Sequence, residues 1–486
     1  MRSSTKILIL VSTMLVLLAC NLPTFGSTPA TKSTPTTAAA DDSQTPIPAP
    51  SATNSKPTAP SVAPTRLNPS GPFVLFKGEK GIWVSNPDGS FLTKVTDIED
   101  ADSLRRAISP KGDRLALVVE NDAGIDLVLV NIPGGETETV AHLTTTTRKQ
   151  EVANPTGAKA FAVYAIRDFG NVAWQPGDGK LLAFVGATKG PTADLYVYDT
   201  ETKKVTQLSN GPAQTILPSW SPDGQYILSF GVSWTPPFGG AIGPYNRLDG
   251  VWAVRASNGE TITLPKPAGD HVNFVGWQDD SHYITYDGDG QCQSNLRSVD
   301  VATGKSIKLM GSSFYAFIDR SPQNGAMLFS GGADCPDALA EGTFLLASGE
   351  TKPKKILDKR AWEIRWMPES QVFFAYPEAL LSADGKTRYD PPVYNASFKP
   401  AVSKAGYQAW QVIQNQKGRV MVKTSANADW QKVMDGLVTE LIWDPVDGNT
   451  LLITLEDGSI YAASFPDFKP RQIGNLKGVR EVVWLP

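Results

Sequence analysis

From Phe73 onward the apolar positions fall in short runs separated by polar turns, and the runs come in matched pairs. "VAWQPGDGKLLAFVG" from Val172, "PSWSPDGQYILSFG" from Pro218 and "LIWDPVDGNTLLITL" from Leu441 share one plan. A brief apolar strand ends in Trp, a Pro/Asp/Gly turn follows, and a second strand runs back. Pro presets φ at such a turn and Gly accepts positive φ, so the chain reverses there. Weaker copies stand at Arg105, Val275, Phe317 and Ile364, and "SFKPAVSKAGYQAWQVI" at Ser397 keeps the plan without the aromatic. Most pairs continue into a third strand, a polar turn and a fourth, most plainly in "DLYVYDTETKKVTQL", Asp194 to Leu208. Long helix-period runs are scarce, and Gly and Pro are plentiful. The pattern predicts an all-β chain of antiparallel strands in groups of four. The groups recur at about 40–57 residues, mostly near the length that four such strands need.

The turn Trp220-Ser221-Pro222-Asp223-Gly224, followed by "YILSF", resembles the WD40-like repeat of TolB-type β-propellers. The resemblance covers essentially all of residues 73–486 and implies a single β-propeller of four-stranded blades over 71–486. Counting inner strands gives eight or nine blades, with seven still open, and Trp362 to Asn395 is the shortest repeat. The two ends of this region complement each other. "FVLFKGEKGIWVSNPDGSFLTKVTD", Phe73 to Asp97, supplies three outer strands without an inner one. "VREVVWLP", Val479 to Pro486, is an inner strand without the other three. A ring must close to leave no strand edge unpaired, so the C-terminal strand is predicted to complete the first blade.

Antiparallel blades place their connections on two faces. The short Pro/Asp/Gly turns crowd one face, and the other receives two long insertions, Thr144 to Gly170 and Gly231 to Gly250. The second offers Trp234, Phe238 and Tyr245 on a Gly/Pro frame. These aromatics are candidates either for ligand contact or for plugging the ring mouth. The recurrent tryptophans at 174, 220, 277, 366, 443 and 484 share one place in the repeat, which points to packing between blades.

The first residues are of a different kind. Arg2 and Lys6 precede the apolar run "ILILVSTMLVLLA", which is short for a spanning helix. "LLAC", Leu17 to Cys20, resembles the lipobox of bacterial lipoproteins. That resemblance implies a signal peptide over 1–19, lipidation of Cys20, and an extracytoplasmic protein anchored to the bacterial cell membrane, in the periplasm or at the cell surface. Residues 20–70 are almost wholly Ser, Thr, Pro and Ala after the cysteine and cannot bury enough apolar surface to order themselves. They predict a disordered tether reaching roughly 40 Å as a coil and about 150 Å when stretched.

Charge is nearly balanced, with 45 basic against 49 acidic residues, which gives no reason to expect nucleic acid as a partner. Three cysteines are present. With Cys20 assigned to the lipid, Cys292 and Cys335 follow second strands about one repeat apart, and a disulfide between neighbouring blades is expected outside the cytosol. Two free thiols are the alternative. Only three histidines occur, His142, His271 and His282, and no G-x-S-x-G elbow is present. "ATGKS" at Ala302 lacks the upstream Gly of a P-loop, and "DGDG" at Asp287 lacks the later Glu of a calcium loop. No catalytic residue, metal site or cofactor is therefore expected. The leading expectation is a non-enzymatic, membrane-anchored scaffold that binds a protein or an envelope polymer. Two alternatives stay open: a lyase- or glycosidase-like propeller enzyme with residues scattered round its central channel, and a carbohydrate binder using Trp234 and Tyr245.

Overall fold

The structure, a computed structural model, describes residues 66–485 apart from internal stretches, of which 151–157, 236–244, 268–273, 288–294 and 333–340 are the longest. Among the described residues the strands form nine antiparallel sheets arranged as the blades of a propeller. Eight sheets have four strands in order from the channel outward. The other, built from Arg114–Asn121, Gly124–Asn131 and Thr137–Thr144, has three. There the inner strand shrinks to one antiparallel bridge, Ile108 to Leu115. The blade count is thus nine. The short repeat after Trp362 is a true blade whose fourth strand is only Arg388–Tyr389.

Closure follows the prediction. Glu481–Leu485 pairs antiparallel with Phe73–Gly78, in the register Val74 to Trp484 and Phe76 to Val482. Both strands read as continuous apolar runs, "FVLF" and "VVWL", because each face of a blade is covered by a neighbour. Strand alternation divides these side chains between two seams. Phe73, Leu75, Val483 and Leu485 pack toward the second blade with Leu104, Leu115 and Leu117. Val74, Phe76, Val482 and Trp484 pack toward the ninth with Leu452 and Ile460.

The repeated tryptophans join the seams. Trp174 Nε1 donates to the carbonyl of Ala107 at 2.8 Å, Trp220 Nε1 to that of Ala173 at 2.9 Å, and Trp443 Nε1 to that of Ala401 at 3.2 Å. Trp277 Nε1 donates to Ser219 Oγ at 3.1 Å. In each case the acceptor belongs to the residue just before the equivalent position of the preceding blade. One ring therefore packs into a seam and fastens it with a hydrogen bond.

Three elements depart from the sequence reading. "LRRA", expected to be an inner strand, is a short helix, Leu104–Ala107. Glu481 of the closing strand accepts from the N–H groups of Leu104 at 2.7 Å and Arg105 at 3.3 Å, filling the place of a helix cap. The insertion after Thr144 contains the helix Ala158–Arg167, which buries Ala162, Val163, Ala165 and Ile166 against the second, third and fourth blades. The insertion at Gly231 is an extension of its own blade. Tyr226–Thr235 and Tyr245–Arg255 stay paired as far as Thr235 to Tyr245.

Candidate functional site in the central channel

Every inner strand runs in the same sense and ends at a Pro/Asp/Gly turn, so equivalent residues of different blades ring the channel at similar depth. The residues just before each Trp position and three before it supply this lining. In the third to fifth blades they are largely apolar, with Leu217 from Gln214–Trp220 and Phe274 from Phe274–Trp277. A cavity of about 770 Å³ lies against this wall, with Val172, Leu217, Phe274, Val275, Arg105 and Arg106 among its lining residues. In the sixth to ninth blades the same places are charged: Asp319 on Phe314–Arg320, Arg365 on Glu363–Trp366, Lys399 on Ser397–Val402 and Glu440 on Val438–Trp443. A second cavity of about 480 Å³ is lined by Asp319, Arg320, Arg365, Glu440 and Arg105. Arg105, Val483 and Trp484 border both cavities, so the two are halves of one channel.

The two carboxyls that line the charged half and Glu481 beside it differ in how they are held. Glu481 is occupied by the helix it caps and also accepts from Ser103 Oγ at 3.1 Å. Asp319 accepts from the backbone N–H of Trp366 in the next blade at 2.7 Å and from that of Arg320 at 2.9 Å. Burial raises its pKa, and the two N–H groups and Arg365 pull the other way. Its role is to clasp two inner strands. Glu440 has no hydrogen bond to its carboxyl among the described residues. Burial raises its pKa above the ordinary glutamate value, against the pull of Arg365, Arg105 and Lys399, and Glu481 adds to the rise.

The cations are held differently again. Arg365 Nη2 donates to the carbonyl of Pro400 at 3.2 Å. Gly170, at φ +57, leaves room for Arg106, since a Cβ there would stand 2.0 Å from Nη1. Arg320 occupies the Trp position of the sixth blade, and burial lowers its pKa while Asp280 and Asp279 support the charge.

The sequence-predicted residues lie elsewhere. Trp234 and Tyr245 are at the far ends of the paired hairpin, and Phe238 falls outside the described residues. Cys20, Cys292 and Cys335 also fall outside them. His142 pairs with Asp126 at 2.6 Å on outer strands, and His282 with Asp279 at 3.0 Å beside a turn. Among the described residues no group of three or more His, Cys, Asp or Glu is placed to hold a metal ion. The channel residues escaped the sequence reading because each blade contributes one or two of them. The available signal was a charge where other repeats carry an apolar residue.

Comparison with known proteins adds context. No family profile matches the chain. A stretch of 55 residues is 42% identical to the uncharacterized peptidase YuxL of Bacillus subtilis. The match spans 11% of this chain and 8% of that protein, about the length of one blade. Among solved structures, dipeptidyl peptidase 4 of Porphyromonas gingivalis matches 84% of the chain and 59% of its own, at TM-score 0.46 and 10% identity. The oligogalacturonate lyase of Vibrio parahaemolyticus matches 63% and 78%, at TM-score 0.33 and 13% identity. A TolB-type protein of Agrobacterium tumefaciens matches 60% and 93%, at TM-score 0.33 and 14% identity. The ring of nine antiparallel sheets defines the protein as a β-propeller. The expectation that the chain is not an enzyme is corrected here: the curated relative matched over that stretch is named a peptidase. That expectation rested on contiguous motifs, whereas a propeller gathers its polar groups one blade at a time.

Proposed function

We propose that the protein is a propeller enzyme that carries out acid–base chemistry in its central channel, of the lyase or glycosidase kind, with Glu440 as proton donor. The observation that carries the reading is Glu440 itself: recessed in the channel, free of hydrogen bonds to its carboxyl among the described residues, and biased by burial toward its protonated form. A carboxylic acid that holds its proton more tightly in this way can give it to a leaving-group oxygen. The C–O bond then breaks with its electron pair on that oxygen. In the glycosidase case the carbon is completed by attack of water, which gives up a proton to solvent. In the lyase case a neighbouring C–H proton is lost to solvent and a C=C bond forms. Arg365, Arg105 and Lys399 stabilise the carboxylate left on Glu440. The apolar wall at Leu217 and Phe274 excludes water from one side. The test is a panel of polysaccharides and aryl glycosides incubated with the full-length protein, with new reducing ends and unsaturated products followed. Turnover that disappears in Glu440→Gln, with the melting temperature kept, supports the assignment. Turnover that survives in Glu440→Gln refutes it.

We also propose that the enzyme acts outside the cytoplasm on a lipid anchor at Cys20, close to envelope polymers. The support is the charged start, apolar run and "LLAC" box at the spacing described above. Mass spectrometry of membrane fractions is expected to find an acylated N-terminal Cys20. An unmodified N-terminus at another residue would remove the anchor from the account.

A further inference from the structure

We propose that the ligand of this channel carries oxyanion groups, carboxylate or phosphate, which Arg365 and Arg105 hold while its uncharged part lies along Leu217, Phe274 and Val275; the proposal rests on the channel being the functional site. Four arginines line the two halves of the channel, Arg105, Arg106, Arg320 and Arg365, against two carboxyls, Asp319 and Glu440. The chain as a whole has net charge −4, so this cationic lining is local and opposite in sign to the molecule.

The state of these arginines distinguishes them from others in the fold. Arg114, Arg167, Arg247, Arg255 and Arg388 each form an ion pair with a carboxylate. Among the described residues Arg105, Arg106 and Arg365 form none. Arg365 spends a hydrogen bond on the neutral carbonyl of Pro400, and the carboxyls of Glu440 and Asp319 feel its charge without an ion pair. The acids nearby answer these arginines only in part: both oxygens of Asp319 receive backbone N–H groups, Glu481 is taken up by the helix N–H groups of Leu104 and Arg105, and Glu440 alone is left to face both Arg365 and Arg105. Asp279 and Asp280 of the fifth blade support the charge of Arg320. A guanidinium offers a planar fork that matches the two oxygens of a carboxylate or phosphate. Several forks around one cavity therefore suit a ligand with more than one acidic group, and a neutral sugar would leave them unanswered.

Calorimetry on the full-length protein at low salt tests this with three probes: citrate, pyrophosphate and uncharged inositol. Citrate or pyrophosphate is expected to bind, and the tighter of the two assigns the oxyanion as carboxylate or phosphate. Binding is expected to weaken by about tenfold or more in Arg365→Gln and in Arg105→Gln, and to fall as salt is raised. Arg365→Lys, which keeps charge and loses the fork, is expected to fall between wild type and Arg365→Gln. Circular dichroism and melting curves serve as the fold control. Oxyanion binding unchanged in both glutamine variants, or inositol binding without any oxyanion binding, overturns the proposal. Failure here is separable from failure of the acid–base reading. Citrate bound equally by wild type and Glu440→Gln, with turnover persisting in that variant, defeats only the acid–base reading. Turnover of an uncharged oligosaccharide by the wild type that is lost in Glu440→Gln, with neither citrate nor pyrophosphate bound, defeats only the oxyanion.

Discussion

At the scale of single residues, two side chains show how the propeller uses its seams and its channel. Glu440 has a folded-state pKa raised above its unfolded value, so the folded protein holds its proton more tightly. That stability is fully present below the ordinary glutamate pKa and is lost as pH rises through the raised one. Glu440→Gln should therefore melt like wild type near about pH 4 and above wild type near about pH 8. Thermal melts across that range would show it, and a variant less stable than wild type at the upper end would mean that the neighbouring cations outweigh burial. Turnover should fall over the same rise in pH, as the acid loses its proton. The tryptophans give a second comparison. Trp220 fastens a seam to Ala173, while Trp484 Nε1 is buried without a partner among the described residues. Replacing each by Phe removes similar packing, so Trp220→Phe is expected to cost about 1 kcal/mol more than Trp484→Phe. Equal losses in chemical denaturation would show that the seam bond contributes nothing.

At the scale of elements, the helix Ala158–Arg167 makes the sharpest claim, because it turns an apparent loop into part of the core. Ile166 is fully buried. Ile166→Ala is expected to cost about 2–5 kcal/mol, as truncations in tight cores do. A loss under about 1 kcal/mol in urea denaturation would mean that the helix is only laid over the ring. Sequence reading missed this helix because "AKAFAVYAIR" lies inside an insertion, and its Ala-rich pattern competes with the strand periodicity on both sides. It likewise took "LRRA" for a strand, since the cap that makes it a helix is Glu481, at the other end of the chain. The blades themselves were legible because their turn chemistry is local: Gly224 sits at φ +70, as the turn after Trp220 demands. The channel was not, because Glu440, Arg365 and Arg105 carry no shared motif and meet only when the ring is built.

At the scale of the whole molecule, the ring is held by the pairing of its two ends. Glu481–Leu485 completes the first blade, fills two seams with Val482, Val483, Trp484 and Leu485, and caps the helix that carries Arg105 into the channel. Burial of each large apolar side chain contributes roughly 1.5–3 kcal/mol. A chain ending at residue 480 is therefore expected to melt well below the full-length protein or to aggregate through the bared edge of Phe73–Gly78. The same truncation should loosen Arg105 and so weaken the channel. Hydrogen exchange on the backbone of Phe73–Gly78 reads closure most directly, comparing the full-length protein with the truncated one. Closure predicts amides protected in the full-length protein and exchanging fast once the strand is removed. Equal protection in both would show that the first blade stands without its C-terminal strand, and would contradict a ring closed by its two ends.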